Sequence, residues 1–309
     1  HFQSSCKPLS SIGFCDITFN STPRSDINGE KILECTEENV VSKQLSNKLD
    51  SSQYCFQNNM KVVLLLIDAL RFDFAHYNEN LTETETPPFK NKLTIINELL
   101  VESPDHGRLF KFIADPPTTT MQRLNGLTTG SLPTFIDVGS NFDTSEINED
   151  NLIDQIIKAN KNITFMGDET LTFMYPGRFK RDFPYPSFNV WDLDSVDTNV
   201  KAKLIPEMKN EDWDLIIAHF LGVDHCGHRY GPFHSEMTRK LLEMNEVIRD
   251  VAREMDNNTI LFVIGDHGMT GTGEHGGDSD EEVTSAMFVY SHRPFITNVK
   301  PVEEVRQVD

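Results

Sequence analysis

Positive charge is scarce in this chain: 28 Lys and Arg stand against 48 Asp and Glu, a formal net charge of −20 over 309 residues. Proteins that grip a nucleic-acid backbone concentrate Lys and Arg on one face, so this balance argues against a nucleic-acid partner. No apolar run approaches the ~20 residues of a membrane span; the longest are of strand length. The first residues, His1-Phe-Gln-Ser-Ser5, lack the basic start and apolar centre of a secretory signal. Internal repeats and low-complexity tracts are also missing, which leaves one large α/β core, or one core with a small appendage.

Cysteine is sparse and unevenly placed. Four of five (Cys6, Cys15, Cys35, Cys55) fall within the first 60 residues, and Cys226 stands alone. Asn20, Asn80, Asn162 and Asn257 each begin an Asn-x-Ser/Thr sequon. Clustered cysteines beside several glycan acceptors point to the secretory lumen, where both modifications form. The four cysteines are candidates for two disulfides, with three pairings open. A luminal chain with neither signal nor anchor is expected to be a piece of something larger.

Residues 1–60 are polar, rich in Ser and Asn, and read as a loop-rich extension. From Lys61 onward, short apolar segments alternate with helical patterns. The expected buried strands are 61–67, 162–166, 214–219, 259–264 and 286–290. Helical character appears over 91–101 and 150–160. The clearest helix spans about 234–256, where Met237, Leu241, Met244, Ile248, Val251 and Met255 recur at three- and four-residue steps. This alternation predicts an α/β fold with a mainly parallel central sheet flanked by helices.

Acids and imidazoles gather at the ends of those strands. Asp68 ends the run that starts at Lys61; Asp224 and His228 lie in Val223-Asp-His-Cys-Gly-His-Arg-Tyr-Gly-Pro232, read as a Gly-containing turn. Asp266 and His267 follow Thr259-Ile-Leu-Phe-Val-Ile-Gly265, and His275 sits in Gly273-Glu-His-Gly-Gly277. Open α/β sheets bind ligands beyond the carboxyl ends of their strands, so these carboxylates are expected to share one rim. Carboxylate oxygen and imidazole nitrogen without thiolate suit zinc or a similar borderline ion. The spacing is that of a two-metal phosphoryl-transfer site. Cys226 is not needed to complete the ligand set, and His219, inside an expected strand, reads as a hydrogen-bonded core imidazole. Thr118, Thr119 and Thr120 supply hydroxyls. Either one is a nucleophile activated by a metal, or the three are a β-branched loop; spacing does not choose among them.

Several segments resemble a known family. Ile67-Asp-Ala-Leu-Arg71, Pro116-Pro-Thr-Thr-Thr-Met-Gln-Arg123, Thr128-Thr-Gly-Ser-Leu-Pro133, Gly222-Val-Asp-His-Cys-Gly-His228 and Gly265-Asp-His-Gly-Met269 are similar to the alkaline phosphatase superfamily, more narrowly to the glycosylphosphatidylinositol (GPI) ethanolamine phosphate transferases. Arg71-Phe-Asp-Phe74 and Phe135-Ile-Asp-Val-Gly-Ser-Asn141 resemble most the members that modify the third mannose. The resemblance covers about 61–293 and implies an alkaline-phosphatase-like catalytic domain over 61–309. It further implies two zinc ions, one on Asp68, Asp266 and His267 with the nucleophile, the other on Asp224, His228 and His275. Related phosphodiesterases attack through the second hydroxyl of a Thr-x-Thr/Ser element, which here is Thr120; Met121-Gln-Arg123 then departs from their pattern.

The resemblance also implies phosphatidylethanolamine as donor and a GPI precursor mannose as acceptor. It implies an endoplasmic reticulum membrane protein with its catalytic domain in the lumen, held by spans absent from this chain. The family's sequence continues beyond Gln307-Val-Asp309, so a C-terminal truncation is expected, and there is room for a small membrane partner subunit. The acidic run Gly276-Gly-Asp-Ser-Asp-Glu-Glu282, Asp278 first, is the candidate contact for the donor's ammonium, against the usual reading of a solvated loop. A phosphodiesterase or phosphatase on the same site, and a catalytically silent luminal binding module, are the rival readings. A sulfatase is disfavoured, because the Cys-x-Pro-x-Arg segment of that family is missing.

Overall fold

The computed structural model describes residues 60–82, 86–132, 146–186, 189–295 and 304–308. Residues 1–59, with Cys6, Cys15, Cys35, Cys55 and Asn20, lie outside the described residues. Met60–Asp309 forms one compact unit.

The strands are β1 (Lys61–Ile67), β2 (Gly107–Ile113), β3 (Ile163–Asp168) and β4 (Arg181–Tyr185). They are followed by β5 (Leu215–Phe220), β6 (Thr259–Ile264), β7 (Thr284–Ser291) and β8 (Glu304–Arg306). All eight join in one sheet, in the order β4-β3-β5-β1-β6-β7-β2-β8. β1 pairs in parallel with β5 on one side and β6 on the other. The β3–β5, β3–β4 and β2–β8 pairs are parallel too, whereas β7 runs antiparallel to both β6 and β2. The expected mainly parallel sheet is therefore present, with an antiparallel strand towards one edge.

The expected boundaries of β1 and β6 coincide with the observed ones, and β3, β5 and β7 differ by one or two residues at their ends. These strands announce themselves because both of their faces are covered, so they read as near-continuous apolar runs; every residue of β3 and β5 is buried. β2 and β4 were not expected. Gly107-Arg-Leu-Phe-Lys-Phe-Ile113 is half-exposed and punctuated by charge, and β4 carries Pro184 at the sheet edge, where a missing N–H is tolerated.

The helices are α1 (Phe72–Ala75), α2 (Thr94–Glu102), α3 (Thr120–Thr129), α4 (Leu152–Lys158) and α5 (Thr170–Met174). Then come α6 (Ser195–Met208), α7 (Gly222–Tyr230), α8 (Ser235–Glu254) and α9 (Asp280–Val283). Alternation along β1 divides the core: Val63, Leu65 and Ile67 pack with α6 and α8, while Leu66 faces Phe165, Ile217, Leu124 and Tyr175 on the other side. The expected stripe of α8, from Met237 to Val251, is buried. Among the described residues no helix is long and apolar enough to cross a membrane.

One element corrects the sequence reading. The segment taken as a Gly-containing turn is helix α7, which carries Asp224 and His228 one turn apart on a common face. Its glycines argue locally against a helix, but tertiary contacts supply what local propensity lacks. Asp197 Oδ1, on α6, accepts from the N–H groups of Leu221 and Gly222 at 2.9 and 3.2 Å, satisfying donors that a helix start leaves open. Asp197 Oδ2 lies 2.7 Å from Lys240 Nζ of α8, and both side chains are buried. A Cβ at residue 222 would lie 2.0 Å from Lys240 Cε and 2.3 Å from Asp197 Oδ2, so only glycine fits beneath this ion pair.

The ion pair should therefore hold α7 in place. Asp197→Ala strands a buried ammonium, although Glu243 at 2.6 Å and Asp194 at 3.3 Å remain beside it. The expected cost is about 3 kcal/mol, the low end for breaking a buried pair, read as a lower urea midpoint at unchanged slope. Asp197→Asn, which keeps the acceptor for α7, should cost less.

Candidate metal centre

Asp68 is the first residue beyond β1; Asp266 and His267 are the second and third beyond β6. Parallel pairing of the two strands brings their ends side by side. The turns then cross closely: a Cβ at Gly265 would lie 2.4 Å from the Leu70 carbonyl oxygen. Ala69 takes a left-handed conformation (φ 57°), and its N–H donates to Asp266 Oδ1 at 3.1 Å. Asp68, Asp266 and His267 are all buried. His267 Nδ1 meets the Gly268 carbonyl oxygen at 2.8 Å, which makes Nδ1 the donor and leaves a lone pair on Nε2. That nitrogen lies 3.4 Å from Asp68 Oδ1 and 3.3 Å from Asp266 Oδ2. Neither oxygen has a hydrogen-bond partner. Two carboxylate oxygens and one lone pair thus converge on one point, a donor set that suits a cation.

The second trio repeats this arrangement. Asp224 Oδ1, also unpartnered, lies 3.5 Å from His228 Nε2 and 3.3 Å from His275 Nε2. The two imidazole nitrogens are 2.9 Å apart. His275 Nδ1 donates to the Thr118 carbonyl oxygen at 2.7 Å, turning its Nε2 towards Asp224 and His228. In each trio the ligand atoms lie within 4.8 Å of one another. The rings of His267 and His275 stack at 4.1 Å, so the trios share a wall.

Burial, and then the neighbouring charges of Asp266 and Asp224, pushes the Asp68 carboxyl up. Burial likewise raises Asp266 to about 6 and pushes His267 down. For His275, burial is outweighed by the hydrogen bond and charge of Asp224, and the imidazole rises to about 9. The same contact, with His228 and His267, overcomes burial at Asp224 and holds it down at about 2. Unpartnered carboxylate oxygens, imidazole lone pairs fixed by outer hydrogen bonds and the lack of thiolate together fit zinc or a similar ion. Cys226 is buried and belongs to neither trio; burial pushes its thiol to about 12.

His219 is more than a core imidazole. It is wholly buried on β5, and its Nε2 lies 3.3 Å from Asp68 Oδ2, the oxygen turned away from His267. A histidine inside Leu215-Ile-Ile-Ala-His-Phe220 was the available signal, since a buried polar ring needs a partner. His225 instead packs its Nδ1 against the Asp192 carbonyl oxygen at 2.9 Å, away from both trios.

The three threonines point in different directions. Thr118 Oγ1 bonds Gly276 and Gly277, and Thr119 Oγ1 bonds Gln122 Oε1. Thr120 Oγ1 lies 3.3 Å from Asp68 Oδ2 and 3.5 Å from His267 Nε2. Thr120 is also the first residue of α3, at the positive end of the helix. In the acidic run, Glu282 accepts from the N–H groups of Gly277 and Ser279, and Glu281 accepts from Gly271 and faces Arg71. Asp278 and Asp280 stay exposed. Of the sequons, Asn80 and Asn257 are exposed, whereas Asn162 is half-buried at the start of β3 and its N–H donates to Asp214.

Residues 118–287 match the family described as type I phosphodiesterase / nucleotide pyrophosphatase. The human protein named GPI ethanolamine phosphate transferase 3, catalytic subunit, is 52% identical over 246 residues, 79% of this chain and 23% of its own length. GPI ethanolamine phosphate transferase 3 of Saccharomyces cerevisiae is 46% identical over 243 residues, 78% of this chain and 24% of its own length. The chain thus spans about a quarter of the length of these curated relatives. A solved protein of the alkaline phosphatase superfamily from Vibrio parahaemolyticus shares the fold, with a TM-score of 0.53 at 15% identity, covering 81% of this chain and 64% of its own.

Ion binding at either trio must displace protons from its ligands. His275 keeps its proton to about pH 9 and Asp266 to about pH 6. Apparent affinity should accordingly climb with pH, and level off for the His275 trio above about 9. Calorimetry at neutral pH in buffers of differing ionisation enthalpy should detect released protons. Affinity that stays flat across this interval would contradict the ligand assignment.

Proposed function

The chain belongs to the type I phosphodiesterase / nucleotide pyrophosphatase family, within the alkaline phosphatase superfamily, and on that footing we propose that it is the catalytic domain of a two-zinc GPI ethanolamine phosphate transferase. The proposed donor is phosphatidylethanolamine and the acceptor a mannose, the third, of the GPI precursor. The observation that carries this reading is one hydroxyl, Thr120 Oγ1, at a helix N-terminus and against the Asp68 trio, with the second trio stacked beside it through His267 and His275.

In this reading Asp68, Asp266 and His267 hold one ion beside Thr120, and Asp224, His228 and His275 hold the other. Bound there, zinc would supply Lewis-acid stabilisation for phosphoryl transfer and favour the ionised hydroxyl. Thr120 Oγ1 attacks the donor phosphorus, forming the threonine–phosphate bond as the bond to diacylglycerol breaks. The mannose hydroxyl then attacks the phosphothreonine and frees Thr120. Gly265 and Ala69 keep the two carboxylate-bearing turns in register during both steps. Asp278 and Asp280 are the acids of the 276–282 run left free of loop bonds, and Asp278 is assigned to the donor's ammonium.

Around this centre, residues 61–309 are the catalytic domain. The luminal extension and disulfides proposed for Cys6, Cys15, Cys35 and Cys55, with the glycan at Asn20, fall on residues outside the described ones; glycans are proposed at Asn80, Asn162 and Asn257 too. The setting is the lumen of the endoplasmic reticulum, with membrane spans elsewhere in the longer protein and room for a small membrane partner subunit.

Labelled phosphatidylethanolamine, offered to the membrane-anchored protein with mannose-bearing GPI precursor, should pass its phosphoethanolamine to the precursor. Release of the label to water instead would favour the phosphodiesterase reading. Thr120→Ala should lower transfer by about 10³-fold or more and abolish the covalent adduct seen by mass spectrometry. It should still bind close to two zinc ions, whereas His275→Ala and Asp266→Ala should each loosen one. An adduct on Thr118 or Thr119 would overturn the nucleophile assignment.

A further inference from the structure

Thr118 does something other than attack. Its side chain is wholly buried. Its hydroxyl donates to the Gly277 carbonyl oxygen at 2.9 Å and accepts from the Gly276 N–H at 2.9 Å. Its own carbonyl oxygen accepts from His275 Nδ1 at 2.7 Å. One residue therefore grips three consecutive positions of the loop that carries His275. Gly276 has φ 113°, a conformation that suits glycine, and it presents its N–H to the threonine. Two residues after Thr118, the same backbone delivers Thr120 to the Asp68 trio.

We infer that Thr118 is a positioning residue for the second ion site, and that it ties the His275 loop to the segment bearing the nucleophile. The inference rests on reading the two trios as ion sites. The bond from His275 Nδ1 turns the ring so that Nε2 faces Asp224 and His228, and the two hydroxyl bonds fix where the ring begins. An outer hydrogen bond of this kind orients a ligand and raises its basicity. Thr118 thus acts through His275, and touches no reacting atom.

The test measures zinc binding to the whole 309-residue chain in two backgrounds that each retain one intact trio. Asp266→Ala leaves the His275 trio, and His275→Ala leaves the Asp68 trio. In the Asp266→Ala background, Thr118→Val, which keeps the shape and the carbonyl bond to His275 but releases Gly276 and Gly277, should weaken zinc by about tenfold, the low end for loss of outer-shell support. Thr118→Ser should recover most of that loss. In the His275→Ala background, Thr118→Val should change affinity by less than about twofold, well under the effect of a lost outer-shell bond. Should Thr118→Val prove insoluble, Thr118→Ala removes the same two bonds without new bulk and carries the same comparison.

Equal weakening in both backgrounds would mark a general folding effect and overturn the inference. So would a valine variant that binds as tightly as threonine beside an intact His275 trio. Either result, in a parent chain that binds two ions, leaves the proposed function standing. A parent chain that binds no zinc would instead remove the premise and the inference together.

Discussion

Three carboxylates are buried at neighbouring strand ends, each with an oxygen that no donor meets. Burying such charge is costly unless it is paired, and the surrounding structure is organised around that cost. His275 carries a proton for Asp224, His219 stands behind Asp68, the Ala69 N–H meets Asp266, and the positive end of α3 faces the same space. Asp68 Oδ1 and Asp266 Oδ2 stay without a donor all the same, and both face the lone pair of His267 Nε2. The arrangement is electron-rich, and the buried carboxylates and imidazoles are of the kind that suits a cation.

The geometry also divides labour among groups that look alike. Asp68 turns Oδ1 to His267 and Oδ2 to His219 and Thr120, so its two oxygens serve different neighbours. One imidazole of the second trio is set by a hydrogen bond from outside the trio. Thr118 sets His275, and Glu274 lies 3.6 Å from His228 Nδ1. Position therefore descends from strand ends to ligands, and from backbone carbonyls to ring orientation.

What could be read in advance follows from range. β1 and β6 were legible because a strand buried on both faces is a continuous apolar run, and Asp68, Asp266 and His267 were legible because they adjoin those runs. α7 was not, since the acceptor that caps it sits on Asp197, 25 residues before Gly222 in sequence. α6 escaped notice because its buried face is small and includes that aspartate. Consecutive threonines are indistinguishable by spacing; only the backbone turn from extended Thr119 into α3 sends their hydroxyls to separate partners. His219 was visible as a polar residue in an apolar strand, but its partner was 151 positions away.

The knot of Gly222, Asp197 and Lys240 has a consequence for how this protein can change over generations. A side chain at 222 collides with the lysine stem; a shorter residue at 240 abandons Asp197; and loss of Asp197 uncaps the helix that carries Asp224 and His228. No single replacement among the three leads downhill to another arrangement. Lineages should therefore keep the trio intact or exchange its members together, so joint variation at these positions would record a rebuilt helix start long before any ligand itself had drifted.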